Sequence, residues 1–222
     1  MNTARLEKIL AAVAAGKTTV PQALAKLKHL SVEDIEYAHI DHHRSLRKGF
    51  PEVIYGEGKT AQQIAGIMEK IIQQENVVLV TRVDSQKAEV LCEQFPEAEY
   101  HSDARMVIVQ KGSLAVQGKG TIAVISAGTS DIPVAREAFL TASAMGNRVE
   151  SLFDVGVAGI HRLFQHQDLI QSASVLIVAA GMEGALPTVV AGVVDKPVIA
   201  VPTSVGYGVS FGGLTALLAM LN

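Results

Sequence analysis

Three aliphatic runs in the second half of the chain constrain its fold more than any other feature. They are Thr-Ile-Ala-Val-Ile-Ser at Thr121–Ser126, Ser-Val-Leu-Ile-Val-Ala-Ala at 174–180 and Pro-Val-Ile-Ala-Val at 197–201, and none carries a charge. A strand with one wet face alternates polar and apolar residues, whereas a strand buried on both faces is continuously aliphatic. A fourth strand is expected at 148–154, with helices near 132–145, 160–171, 185–194 and 212–222. Strand–helix repetition of this kind predicts right-handed crossovers and a parallel sheet covered by helices.

Upstream the same alternation is expected in a weaker form. Strands are predicted at 76–81 and 106–110, and helices at 60–74 and 84–95. A strand is also placed at 35–41, and Gly49-Phe50-Pro51-Glu52-Val53-Ile54-Tyr55-Gly56-Glu57-Gly58-Lys59 is a glycine-punctuated loop and strand rather than a phosphate loop. Residues 3–14 and 20–30 have helical spacing, with Leu6, Ile9, Leu10 and Val13 and then Leu24, Leu27 and Leu30. That arm carries an apolar stripe that must cover the main domain or a neighbouring subunit. The predicted fold is therefore α/β, a three-layer, Rossmann-like parallel sheet over 119–222. A smaller α/β domain and the helical arm occupy 1–118.

Composition narrows the function. The net charge of −3 offers no basic footprint for nucleic acid. A single cysteine, Cys92, excludes an intramolecular disulfide and fits a reducing cytoplasm. The charged N-terminus carries no apolar signal core, so a cytoplasmic protein is expected. No charge occurs from Pro197 to Asn222, but Pro202, Gly206, Gly208, Gly212 and Gly213 divide that stretch. It is expected to be buried core, not a membrane span. Adjacent His42 and His43 invite a metal, yet strand neighbours point to opposite faces, so no metal set is expected. Cys92 falls in a predicted helix and is expected to pack rather than react.

In an open parallel sheet, ligands collect outside the carboxyl ends of the strands. Four such ends carry candidates. In Ser126-Ala127-Gly128-Thr129-Ser130-Asp131-Ile132-Pro133, the glycine permits close backbone approach and Ser130 or Asp131 can cap the next helix. Its amides and hydroxyls suit a phosphate, although an ordinary helix-capping turn accounts for them equally well. In Asp154-Val155-Gly156-Val157-Ala158-Gly159-Ile160-His161-Arg162, the arginine suits a phosphate or carboxylate, and a surface arginine is the plainer alternative. Glu183, in Ala180-Gly181-Met182-Glu183-Gly184-Ala185-Leu186-Pro187, follows a fully aliphatic strand. Desolvation at that depth should raise its pKa toward values useful in proton transfer. The fourth end, with Ser204 and Tyr207, offers hydroxyls on flexible backbone.

In this order the four loops resemble the aminoimidazole-ribotide carboxylase superfamily, with its Ser-Asp, Ala-His-Arg and Ala-Gly-Gly-x-x-x-Leu-Pro loops. The particular variants, with Asp41-His42-His43-Arg44 and the Gly49 to Lys59 segment, are similar to one branch. That branch is the LarB family of nickel-pincer cofactor biosynthesis, the pyridinium-3,5-biscarboxylic acid mononucleotide synthases. The resemblance implies carboxylation of nicotinic acid adenine dinucleotide at ring position 5 by carbon dioxide, and hydrolysis of its phosphoanhydride to release AMP. It implies Glu183 as acid/base. A substrate pocket would be made by Ser126, Gly128, Thr129, Ser130, Asp131, Asp154, Gly156, His161, Arg162, Gly181, Met182, Gly184, Ser204 and Tyr207. Magnesium would assist the hydrolysis, with Asp131 and Asp154 as candidate helpers, and the protein would be a homo-oligomer, an octamer. The family also uses a cysteine after a Met-Leu-Asn element, for which Met220-Leu221-Asn222 supplies no successor, so the natural tail is expected to be missing and carboxylation to fail without it. Two alternatives stand beside this: a purine-type aminoimidazole ribotide carboxylase or mutase, and a non-catalytic nucleotide-binding oligomer.

Overall fold

A computed structural model describes residues 3–27 and 33–222. The chain divides into two compact units, Met1–Ser113 and Leu114–Asn222.

In the first unit, helices α1 (Thr3–Ala14) and α2 (Val20–Leu27) form the arm, and Leu30 of the expected stripe lies outside the described residues. Ala23 is buried, while Leu10 and Leu24 remain exposed. The single strand expected at 35–41 is instead a two-stranded hairpin, β1 (Glu33–Asp34) against β2 (His39–Ile40). Glu36, with a positive φ, makes the reversal between them. His42 and His43 follow, in a turn before α3 (Arg44–Lys48).

The main sheet of this unit runs β3 (Val53–Tyr55), β4 (Val77–Thr81), β6 (Met106–Gln110), β5 (Ala98–His101). It is mixed, a correction to the parallel expectation: β3 and β4 are parallel, but β6 is antiparallel to both β4 and β5. The cause is β5, which its polar sequence concealed. Residues 102–105 are too few to return the chain for a parallel pairing, so β6 must run back beside β5. Helices α4 (Ala61–Ile72) and α5 (Ser85–Gln94) lay Ile64, Met68, Ile71, Ala88 and Leu91 on Ile54, Val78, Val80, Val107 and Val109. Thr60 caps α4 reciprocally with Gln63, and Asp84 caps α5 through the Lys87 amide.

The second unit has a four-stranded, wholly parallel sheet. Its order is β10 (Val198–Pro202), β9 (Val175–Ala180), β7 (Thr121–Ser126), β8 (Arg148–Leu152). Alternation within β7 sorts the core into two faces. Ile122 and Val124 meet α6 (Ile132–Ala144), through Ala135 and Phe139. Ala123 and Ile125 face the opposite cluster, where α7 (Ile160–Phe164), α8 (Gln167–Ser172) and α9 (Ala185–Ala191) bring Leu163, Ile170, Leu186 and Val190. The result is helix, sheet, helix: three layers. The one helix expected at 160–171 is thus two, α7 and α8, broken near His166.

The uncharged C-terminal stretch divides into β10, a loop and α10 (Leu214–Met220), and no described helix is long and apolar enough to cross a membrane. It is not the buried core that was expected. Ile199, Tyr207, Val209, Phe211, Leu214, Leu218 and Leu221 are exposed. β10 is an edge strand and α10 is short, so one side of each is left uncovered.

Glu33 ties the hairpin to α4, with Lys70 Nζ at 2.9 Å on one oxygen and buried His42 Nε2 at 2.8 Å on the other. The Lys70 contact first, then His42, holds the Glu33 carboxyl below its ordinary 4.5. A depressed folded pKa contributes stability above the unfolded value and loses it as pH falls. Thermal unfolding from about pH 6 down to about pH 3 should therefore show the advantage of wild type over Glu33→Gln shrinking with acid. A difference that does not vary with pH would remove this role.

Candidate active site

The strand order places a crevice where ligands are expected. From β7 the chain moves outward to β8, then returns past β7 to add β9 and β10. Neighbouring β7 and β9 are consequently followed by helices on opposite faces, α6 and α9. Their loops part at the carboxyl end of the sheet. A cavity of about 530 Å³ opens there, lined by Ala127 to Asp131, by Asp154, Gly156 and Arg162, by Ala180 to Glu183, and by Val205 to Tyr207.

The floor is fixed by a buried carboxylate. Asp131 Oδ1 accepts from the Thr203 hydroxyl at 2.6 Å and Oδ2 accepts from the Gly128 amide at 2.9 Å. Asp131 therefore does not cap α6 as expected; it bends back over its own loop and reaches the loop after β10. The 3-10 turn Thr129–Asp131 and Pro133 open the helix instead. Ser126 is also structural: it is fully buried, and its Oγ accepts from the Asp154 amide at 3.2 Å.

Arg162 is aimed by Asp154, whose Oδ2 lies 2.7 Å from Nη1. Gly159 makes room for this, because a Cβ there would stand 2.7 Å from Arg162 Nε. Gly156 lets the β8 loop rest on Ala127, whose carbonyl would lie 2.8 Å from an added Cβ. The guanidinium is half-buried, oriented, and keeps donors for an anion. His161 is exposed and, with Ser204 and buried Gly184, lies outside the cavity lining.

Glu183 lines the cavity but is exposed, which corrects the expected desolvation. The residue stands at the centre of a turn, outside the strand end that was taken to bury it. That turn is closed by the Gly184 amide on the Gly181 carbonyl at 2.9 Å. Gly181 is wedged beneath the β10 loop, where an added Cβ would come 2.1 Å from the Val205 carbonyl oxygen. Met182 donates its amide to that same oxygen at 2.9 Å and has φ +51°. A left-handed backbone costs a residue with a side chain about 1 kcal/mol.

Sequence reasoning missed Thr203 as the partner of Asp131, and the lining residues Val205, Gly206, Val157, Ala158, Ala185 and Leu186. Thr203 had a signal, as a hydroxyl directly after a strand; the apolar residues had none.

Both oxygens of Asp131 are engaged within the fold, whereas Asp154 holds Arg162 through Oδ2 alone. Among the described residues no cluster of three His, Cys, Asp or Glu side chains could hold a metal. Buried His42 pairs with Glu33, and His43 is exposed. Cys92 belongs to α5 of the first unit, and burial pushes its thiol above the ordinary 9.0.

The second unit is a parallel, three-layer α/β domain with a pocket of oriented polar groups at its switch point. Residues 32–111 match the LarB/PurE-like N-terminal domain, and residues 121–222 match AIR carboxylase. An uncharacterized protein of Methanocaldococcus jannaschii is 36% identical over 227 residues, covering 98% of this chain and 87% of the relative. The chain belongs to the LarB/PurE-like branch of the AIR carboxylase superfamily, whose domains give it a carboxylase-type function.

Thr203→Val keeps the shape but removes one donor from buried Asp131. It should cost roughly 2 kcal/mol, several degrees in Tm, by thermal denaturation. An unchanged Tm would show that the Asp131–Thr203 bond does not hold the floor.

Proposed function

We propose that the pocket binds the nicotinate ribotide half of nicotinic acid adenine dinucleotide, and that the enzyme carboxylates the ring at position 5 and cleaves the phosphoanhydride to release AMP. The observation that carries this reading is that the Gly128 to Asp131 loop, Asp154-held Arg162 and Glu183 all line one cavity. The hydroxyls of Thr129 and Ser130 suit the phosphoribosyl group. Arg162 neutralises a phosphate or the ring carboxylate.

The ring chemistry requires more than binding. A pyridinium is electron-poor and does not attack carbon dioxide until a nucleophile adds beside position 5 and creates an enamine. After carbon–carbon bond formation, a base removes the ring proton and the nucleophile departs, restoring aromaticity. Glu183, which lines the cavity, is the group assigned to that proton. Cys92 is unsuited to the addition, because its raised pKa opposes thiolate formation.

The test is mass spectrometry of products from the dinucleotide, carbon dioxide and magnesium, with the protein in its natural full length. The dicarboxylated mononucleotide and AMP are expected. Glu183→Gln should lower carboxylation by about 10²- to 10⁴-fold while nucleotide binding persists. Unaltered turnover in that variant removes Glu183 from the chemistry. The match of residues 121–222 to AIR carboxylase favours a second reading. Turnover of aminoimidazole ribotide with none of the dinucleotide would put it first, and binding without turnover of either would leave a nucleotide-binding protein.

We also propose a homo-oligomer, an octamer, in which the exposed apolar side chains of α10 and its preceding loop meet other copies. Light scattering should give eight times the 23.5 kDa chain mass, and a smaller assembly would overturn the octamer.

A further inference from the structure

Among the described residues, six other than glycine have a positive φ, and two of them, Asp154 and Met182, line the cavity. Asp154 is unremarkable in this respect, because short polar side chains tolerate the left-handed region. Met182 is the outlier. It is the first central residue of the turn closed by the Gly184 amide and the Gly181 carbonyl. φ is positive at Met182 and not at Glu183. That is the pattern of a type II′ turn, whose first central position is normally glycine.

The surroundings impose this backbone. Gly181 is pinned under Val205 and Thr203, Gly206 allows close approach to the Met182 amide, and Gly184 sits against the Ala216 backbone. None of these contacts involves the methionine side chain. It is 41% exposed, so burial does not account for it either. Glycine would satisfy the turn at lower cost, and strain kept beside a cavity points to the side chain.

We propose that Met182 is a specificity-determining residue, whose thioether seats the planar aromatic ring of the substrate beside Glu183. The proposal rests on the reading that a nicotinate nucleotide occupies this cavity. A polarizable sulfur favours the edge and face of an aromatic ring, and an unbranched side chain adapts to it. Met182 and Glu183 are consecutive in one turn and both line the cavity, so a ring seated there shares that space with the carboxylate.

Titration calorimetry with nicotinic acid mononucleotide and with ribose 5-phosphate, which lacks the ring, tests this in the wild type, Met182→Gly and Met182→Ala. Both variants should bind the nucleotide about three- to tenfold more weakly, with ribose 5-phosphate affinity unchanged. Met182→Gly should melt higher than Met182→Ala, because only glycine relieves the turn. Equal nucleotide affinity in the wild type and both variants overturns the proposal while leaving the substrate reading intact. A parallel loss for both ligands overturns it too, marking a general distortion. A wild type that binds ribose 5-phosphate but gains nothing from the nicotinate ring overturns both.

Discussion

The bond between the Thr203 hydroxyl and the Asp131 carboxylate governs the second unit's working end. It joins the loops after β7 and β10, two strands that are not neighbours in the sheet. The connection therefore passes over the end of β9, and Gly181 must thread beneath it with no side chain. A buried carboxylate is tolerable only when its oxygens are satisfied, and here the Gly128 amide and the Thr203 hydroxyl do so. The Gly128 to Asp131 loop and the Glu183 turn both take their positions from this arrangement.

The chemistry is distributed over that frame by the topology. Each strand of the parallel sheet delivers its loop to the same edge, so side chains from four separate segments share one cavity. Arg162 is restrained by Asp154, while Glu183 stands exposed on its turn. Arg162 and the Gly128 to Asp131 loop are thus held by hydrogen bonds and glycine contacts, and Glu183 is left accessible. On the proposed reading, that division suits an enzyme that anchors a nucleotide while its ring changes hybridisation.

Much of the second unit was legible because its signals are local. The runs at β7, β9 and β10 have no polar alternation, and Gly, Ser, Asp and Arg cluster directly after strands. What escaped notice was non-local or depended on context. Thr203 meets Asp131 across 72 residues of sequence. Ser126 looks like a ligand group but spends its hydroxyl on Asp154. Burial at Glu183 was inferred from the strand before it, whereas the turn carries the side chain outward. In the first unit, polar β5 concealed the hairpin that inverts β6. Residues 197–222 lack charge like a core segment, yet lie at a sheet edge where burial depends on what is packed there.

The connectivity of the two sheets also bears on how the chain acquires its structure during synthesis. Among the described residues, all strands of the first unit lie between residues 33 and 110, so its sheets can close before the second unit has emerged from the ribosome. The second unit has no such freedom. One of its two inner strands, β7, is made first, but the other, β9, arrives some fifty residues later, after β8 and three helices. An aliphatic strand thus waits with one edge open until late in translation. In a nascent protein, that is the interval of greatest exposure to aggregation and the point at which a chaperone would have most to protect.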